Sequence, residues 1–138
     1  MASRLNPYIS FAGNARQALE LYKDVFGGTL TLNTFGELGA QHSPDDADKV
    51  MHGTLETDSG YTLMAADTPT GMQHHPGDNM AVSLSGDDAD ELHGYWDKLS
   101  AGGTVSIPLD KQMWGDEFGM CVDKFGIGWM VNIGQPQA

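Results

Sequence analysis

The chain carries one passage twice. Asn6-Pro7-Tyr8-Ile9-Ser10-Phe11-Ala12-Gly13 returns as Asn79-Met80-Ala81-Val82-Ser83-Leu84-Ser85-Gly86, an offset of 73 residues counted from Asn6 to Asn79. The offset holds through Leu19/Leu92 and Tyr22/Tyr95 and becomes 75 at Gly27-Gly28 and Gly102-Gly103. Each copy reads as a short strand, a polar start signal, an amphipathic helix and a double-glycine stop. Two copies are too few for a solenoid, which needs about three or more units. They predict one domain built from two related halves, and paired halves tend to enclose something between them.

A chain of 138 residues fits a single domain and buries enough surface to need no staple. Its one cysteine, Cys121, excludes an intramolecular disulfide and suits a reducing compartment. The polar start after Met1 has no apolar core of a signal peptide, and no run approaches the ~18 apolar residues of a membrane span. The expectation is a soluble, cytoplasmic protein. The formal charge of −12 repels phosphate backbones, which argues against a nucleic-acid partner. The acidic runs Asp45-Asp46-Ala47-Asp48 and Asp87-Asp88-Ala89-Asp90-Glu91 read as solvated loops and helix starts, since no EF-hand spacing is present.

Residues 5–11 alternate as a half-buried strand does, with Ile9 and Phe11 on one face. Asn14 then caps a helix with Gln17 as its capping-box partner, and Ala18, Leu21, Tyr22, Val25 and Phe26 form the apolar stripe. Strands are expected at 29–38, 50–57 and 61–67, the last two as a hairpin around Asp58-Ser59-Gly60. In the second half the strands fall at 80–85, 104–109, 118–122 and 127–133. Asp88 and Glu91 cap a helix whose stripe is Leu92, Tyr95, Trp96 and Leu99. The order is βαβββ twice, an α+β chain with module one at 4–68, a linker at 69–78 and module two at 79–134. One amphipathic helix covers only one side of its sheet. Parity puts Tyr8, Ser10 and Ser83 on the uncovered side.

This order resembles the vicinal oxygen chelate (VOC) superfamily of glyoxalase I, bleomycin-resistance proteins and extradiol dioxygenases, and within it the PhnB-like branch. The resemblance covers essentially the whole chain. It rests on Phe11-Ala12-Gly13-Asn14-Ala15, on the run from Ala18 to Gly28, on Val50-Met51-His52-Gly53 and on Leu63-Met64-Ala65-Ala66-Asp67. The stretch from Met113 through Gly119 into Asp123-Lys124-Phe125-Gly126-Ile127-Gly128-Trp129 completes it. It implies a single VOC domain, usually paired as a homodimer around a shared cavity. Metal-dependent members place one ligand early in the first strand of each half and one, usually Glu, in the last. The matching positions here are Asn6 (or Pro7), Asn79, Met64 and Met130. None is a His or carboxylate, so neither a resident metal nor another cofactor is expected.

His52 matches a His that PhnB-like sequences commonly carry, and parity with Met51 and Leu55 puts it on the face opposite them. It reads either as a hydrogen-bonded structural His or as a base or ligand contact. Asp67 ends the fourth strand and is either a cap for the next loop or a second catalytic group. His74-His75 falls in a Gly/Pro loop. Trp114 opens a Gly-Asp turn and is a candidate cavity wall, and Cys121 reads as an inert buried thiol. The expected function is binding of a small organic molecule in a cavity lined by Tyr8, Ser10, Met64, Ser83, Trp114 and Met130. The alternative is a VOC-type enzyme, lyase, isomerase or dioxygenase-like, with a non-standard site around His52 and Asp67.

Overall fold

The computed structural model describes residues 3–39 and 42–135. The chain divides into two compact units, one ending at Pro76 and the other beginning at Gly77. The first holds β1 (Tyr8–Phe11), α1 (Ala15–Phe26), β2 (Thr29–Thr34), a short 3₁₀ turn (Pro44–Asp46), β3 (Val50–Glu56) and β4 (Thr62–Asp67). The second holds β5 (Val82–Gly86), α2 (Ala89–Ser100), β6 (Thr104–Lys111), β7 (Glu117–Val122) and β8 (Gly128–Ile133). The βαβββ order therefore occurs twice. Among the described residues no helix is long and apolar enough to cross a membrane.

Each unit is a four-stranded sheet with one helix on it. The strand orders are β1-β4-β3-β2 and β5-β8-β7-β6, so the first strand of each unit lies beside the last. Those edge pairs are parallel and the remaining pairs antiparallel. In unit 1, α1 packs on β2, β3 and β4 and buries Leu19, Tyr22 and Phe26 against Leu55, Leu63 and Ala65. In unit 2, α2 packs on β5, β7 and β8 and buries Leu92, Trp96 and Leu99 with Leu84, Trp129 and Val131. Removing this apolar area from water is the main stabilising term in each unit.

The repeat is tightest where backbones meet. The turn Thr57–Tyr61 bonds Thr57 N–H to the Tyr61 carbonyl at 2.9 Å, and Asp123 and Ile127 do the same at 2.9 Å. Gly60 and Gly126 both sit at φ +90°. Gly53 and Gly119 occupy the same place on β3 and β7. There an added Cβ would lie 2.5 Å from Leu19 Cδ1 and 2.8 Å from the Trp96 ring respectively, so glycine lets the helix close onto the sheet.

The repeat differs between strand and helix. Tyr8 pairs with Met64, and Ser83 with Met130. Tyr8 therefore corresponds to Ser83, an offset of 75, whereas the helix faces match at 73 (Leu19 with Leu92, Tyr22 with Tyr95). The connection from β1 into α1 is two residues longer than that from β5 into α2, counted from Phe11 to Leu19 against Gly86 to Leu92. A slip of two leaves strand parity intact, so the face assignment survives while the residue correspondence moves.

Asp46 departs from the expected solvated acidic loop. It is buried, and its carboxylate accepts from Thr70 N–H at 2.9 Å, from the Thr70 hydroxyl at 2.8 Å and from Lys49 Nζ at 2.8 Å. The Lys49 contact is the main reason its pKa falls from 3.8 to about 2. A carboxyl depressed on folding stabilises the fold above its unfolded pKa, and that contribution fades as pH drops through the folded value. The stability gap between the wild type and Asp46→Asn, read from urea midpoints, is expected to be constant near neutrality. It should shrink between about pH 4 and pH 2.

Candidate functional site

Strand alternation leaves one face of each sheet without a helix. In unit 1 a row across that face carries Tyr8, Met64, Thr54 and Thr31, one from each of β1, β4, β3 and β2. The next row begins with Ser10 opposite Ala66 and ends with His52 opposite Asn33. His52 is half-buried, and its Nε2 lies 3.0 Å from Thr54 Oγ1. The Tyr8 and His52 rings are near-parallel at 29°, with centroids 6.0 Å apart. Three predicted site residues, Tyr8, Met64 and His52, thus form one cluster, with Ser10 beside it. Thr54 and Ala66 complete it. The i, i+2 spacing of His52 and Thr54 was the sequence signal for the first of these.

His52 lies on the open face as expected, but Met51 is not its core-facing neighbour. Met51 is 38% exposed, and Val50 is the core residue at 1%. Asn33 pairs with His52 but Thr34 pairs with Val50, so Met51 is the extra residue of a β-bulge. The bulge turns Val50 inward while His52 stays on the open face.

Asp67 lies on the other side of the sheet. It is 5% exposed and follows Leu63 and Ala65 on the helix-covered face. Its Oδ1 accepts from the backbone N–H of Gly13 at 3.1 Å and of Ala15 at 2.8 Å, and its Oδ2 from Val50 N–H at 2.9 Å. One carboxylate ties the start of α1, the start of β3 and the end of β4. It also takes over the capping that Asn14 was expected to supply: Asn14 has φ −118° and ψ 23° and makes no side-chain cap bond. The structure therefore does not bring His52 and Asp67 together. The other helix is capped locally, Asp88 Oδ1 accepting from Glu91 N–H at 3.2 Å.

In unit 2 the uncovered face is less polar. Ser83, Met130, Met120 and Ile107 form one row. Ser85, Asn132 and Phe118 form the next. Asn132 Nδ2 donates to Asp116 Oδ2 at 3.0 Å. Trp114 sits in the β6–β7 turn, 59% exposed, with its ring 6.1 Å from that of Phe118. Ser83, Met130 and Trp114 are therefore on or beside one surface. Met120 and Phe118 belong to it too, and period-two alternation along 118–122 was the signal for both. Cys121 is buried behind this face. Burial, then the charge of Asp123, raises its thiol pKa to about 11, which removes the thiolate needed for chemistry near neutral pH.

At the positions that the resemblance assigns to metal ligands stand Asn6, Asn79, Met64 and Met130, and the strand register makes Ala81, not Asn79, the repeat counterpart of Asn6. Met64 has Tyr8 as its β1 neighbour and Met130 has Ser83 on β5, so neither late position gains a His or carboxylate from the adjacent strand. Neutral amides and thioethers are poor partners for zinc, nickel or iron. Among the described residues no three His, Cys, Asp or Glu side chains gather as a metal-holding group.

A family model of the Glyoxalase/Bleomycin resistance protein/Dioxygenase superfamily matches residues 4–131. Protein YjdN of Escherichia coli K12 is 30% identical over 96% of this chain and 97% of its own length. The crystal structure of protein PA1353 from Pseudomonas aeruginosa has TM-score 0.87 at 34% identity, covering 98% of this chain and all of that one. A putative 3-demethylubiquinone-9 3-methyltransferase, the PhnB protein from Bacillus cereus, shares the fold with TM-score 0.75 at 18% identity. It covers 96% of this chain and 100% of its own. With two βαβββ units and a family match over nearly its full length, the chain belongs to the glyoxalase/bleomycin resistance/dioxygenase (vicinal oxygen chelate) superfamily.

Proposed function

We propose that this protein binds a small organic molecule on its uncovered sheet faces, without a superfamily-type metal and without another cofactor. The carrying observation is the unit 2 face, where Met130, Met120 and Phe118 lie beside Ser83, Ser85 and Asn132, with Trp114 at its edge. Apolar lining with a few convergent polar groups is what small-molecule sites use, and thioethers adapt to irregular ligand shapes. Tyr8, Ser10 and Met64 offer a second, more polar lining in unit 1. A homodimer of cytoplasmic location, each chain a single VOC domain, completes the proposal. An enzymatic reading rests on His52 alone on the open face, since the Asp67 oxygens are taken by backbone N–H groups on the covered side.

Tryptophan emission tests the reading. Trp96 is 9% and Trp129 1% exposed, so Trp114 is the one of the three able to report an occupant of the surface. A saturating ligand from a metabolite and antibiotic panel is expected to shift Trp114 emission to the blue. At about 100 times its Kd it should raise stability by about 2.7 kcal/mol in a thermal melt. Trp114→Phe should lose the optical response but keep most of the stabilisation. A panel in which no compound moves either signal counts against the proposal, as does a stoichiometric divalent ion in the purified protein.

A further inference from the structure

The unit 1 cluster has a chemistry of its own, and the inference rests on the reading of the uncovered faces as ligand surfaces. We propose that Tyr8 and His52 form a clip for a planar cationic group, either a guanidinium or a nitrogen heterocycle carrying a fixed positive charge.

Ring geometry comes first. The two rings approach parallel at 29° with centroids 6.0 Å apart. A planar group in contact with both needs about 7 Å, two contacts of roughly 3.5 Å each. With centroids 6.0 Å apart the rings stand closer than that, so the clip is closed and one jaw must move to admit a guest. Tyr8, 54% exposed on the edge strand β1, is the jaw with room to swing. His52 is the fixed jaw, held by the 3.0 Å contact between its Nε2 and Thr54 Oγ1. The β4 residues on this face between them are Met64 and Ala66. Ala66 is small enough to leave the floor open.

Charge decides what the clip takes. The strand residues of this face are Tyr8 and Ser10, Thr62, Met64 and Ala66, His52, Thr54 and Glu56, and Thr29, Thr31 and Asn33; none is Lys or Arg, and Glu56 is acidic. Beside the two rings no strand residue offers a carboxylate or phosphate a cationic partner; the cation nearest this face, Arg4, lies with Asn6, Glu56 and Thr62, toward the end of β4 away from Ala66. A cation finds the Tyr8 ring face, the attractive side of an aromatic quadrupole, and a planar His52 ring to stack against. It also finds a chain of net charge −12 that draws it in. Hydroxyls of Ser10 and Thr54 lie alongside to accept hydrogen bonds from N–H groups at the edge of the bound plane.

The test compares 1-methylquinolinium with neutral quinoline at pH 8, by calorimetry and by amide chemical shifts on the whole chain. The cation is expected to bind roughly three- to tenfold tighter than the neutral isostere, the increment of a partly desolvated cation–π contact. Its shifts should centre on Tyr8, His52 and Ala66. Tyr8→Phe should retain that preference and Tyr8→Leu should abolish it. His52→Gln, which keeps a polar group near Thr54, should also abolish it. Equal affinities for the two probes overturn the clip, and so does a Tyr8→Leu variant that still prefers the cation. If shifts then map to Met120, Met130 and Trp114, the clip alone has failed and the surface-binding reading stands. If neither probe binds and the metabolite panel is also silent, both fail.

Discussion

Asp67→Ala is expected to lower stability by roughly 3–5 kcal/mol, because each buried donor left without a partner costs about 1–3 kcal/mol and Asp67 serves three. Asn14 offers partial relief, since its side chain is free of a cap bond and is placed to turn toward the first turn of α1. The Val50 N–H has no such substitute on its own element. Against a typical total of 5–15 kcal/mol this loss is large. The thermal midpoint should fall by on the order of 10–20 °C. Asp67→Asn is the sharper variant. Its amide oxygen still accepts from Gly13 and Ala15, but its NH2 then faces the Val50 N–H, donor against donor, and about 1–3 kcal/mol should be lost. Urea midpoints of the ligand-free protein read both. A midpoint for Asp67→Ala near that of the wild type would refute the structural assignment and return Asp67 to the candidates for chemistry. The same experiment separates the two residues first considered together. His52→Ala removes a half-buried ring from the open face and should leave stability within about 1 kcal/mol.

The fold was legible because periodicity switches cleanly between two and 3.6 along this chain, and because the whole pattern repeats. Strand faces were readable for the same reason: Ile9 and Phe11, or Val82 and Leu84, leave no choice about which side is buried. What escaped were long-range polar contacts. Nothing local marks Asp67 as the cap of a helix that begins 52 residues earlier at Ala15. Nothing local marks Asp46, in the run Asp45-Asp46-Ala47-Asp48, as the one acid held by Thr70. The β-bulge at Met51 escaped for a related reason. Alternation is a property of one strand, and a bulge is defined only by its partner, here the step from Asn33 to Thr34. The two-residue difference between strand and helix registers was foreshadowed at Gly27-Gly28 and Gly102-Gly103, but the similarity of Asn6–Gly13 to Asn79–Gly86 outweighed it. For the site, composition of the faces was readable and their geometry was not. Tyr8 and His52 are 44 positions apart in sequence. Their 6.0 Å approach depends on β4 entering between β1 and β3.

Gly28→Ala and Gly103→Ala are expected to cost on the order of 3 kcal/mol each, because theirs are the closest approaches that a Cβ added at any described glycine would make. At both positions a Cβ would fall 2.1 Å from a backbone carbonyl oxygen, that of Glu56 for Gly28 and that of Val122 for Gly103. No rotamer change relieves a clash with main chain, so the strand end itself must move, and overpacking that shifts backbone costs about 1–3 kcal/mol or more. Gly28 adds a second penalty. Its φ of +105° is one that L-residues avoid, at roughly 1–2 kcal/mol. Gly103 carries no positive φ, so the pair separates close approach from backbone strain: Gly28→Ala should be the worse by about that difference. Gly94 supplies the control. It lies in α2, exposed, with nothing within 4 Å of a built Cβ. Ala there should stabilise by about 0.5–1 kcal/mol through helix propensity alone. The three variants, compared by thermal melt and urea midpoint, decide why the double glycine recurs. If it only ended helices, Gly103→Ala would be mild, since α2 has already ended at Ser100. If it lets the chain cross the end of β3 or β7 at contact distance, both variants fail together. The helix then loses the anchor that sets its height on the sheet, and with it the side of each sheet that stays open.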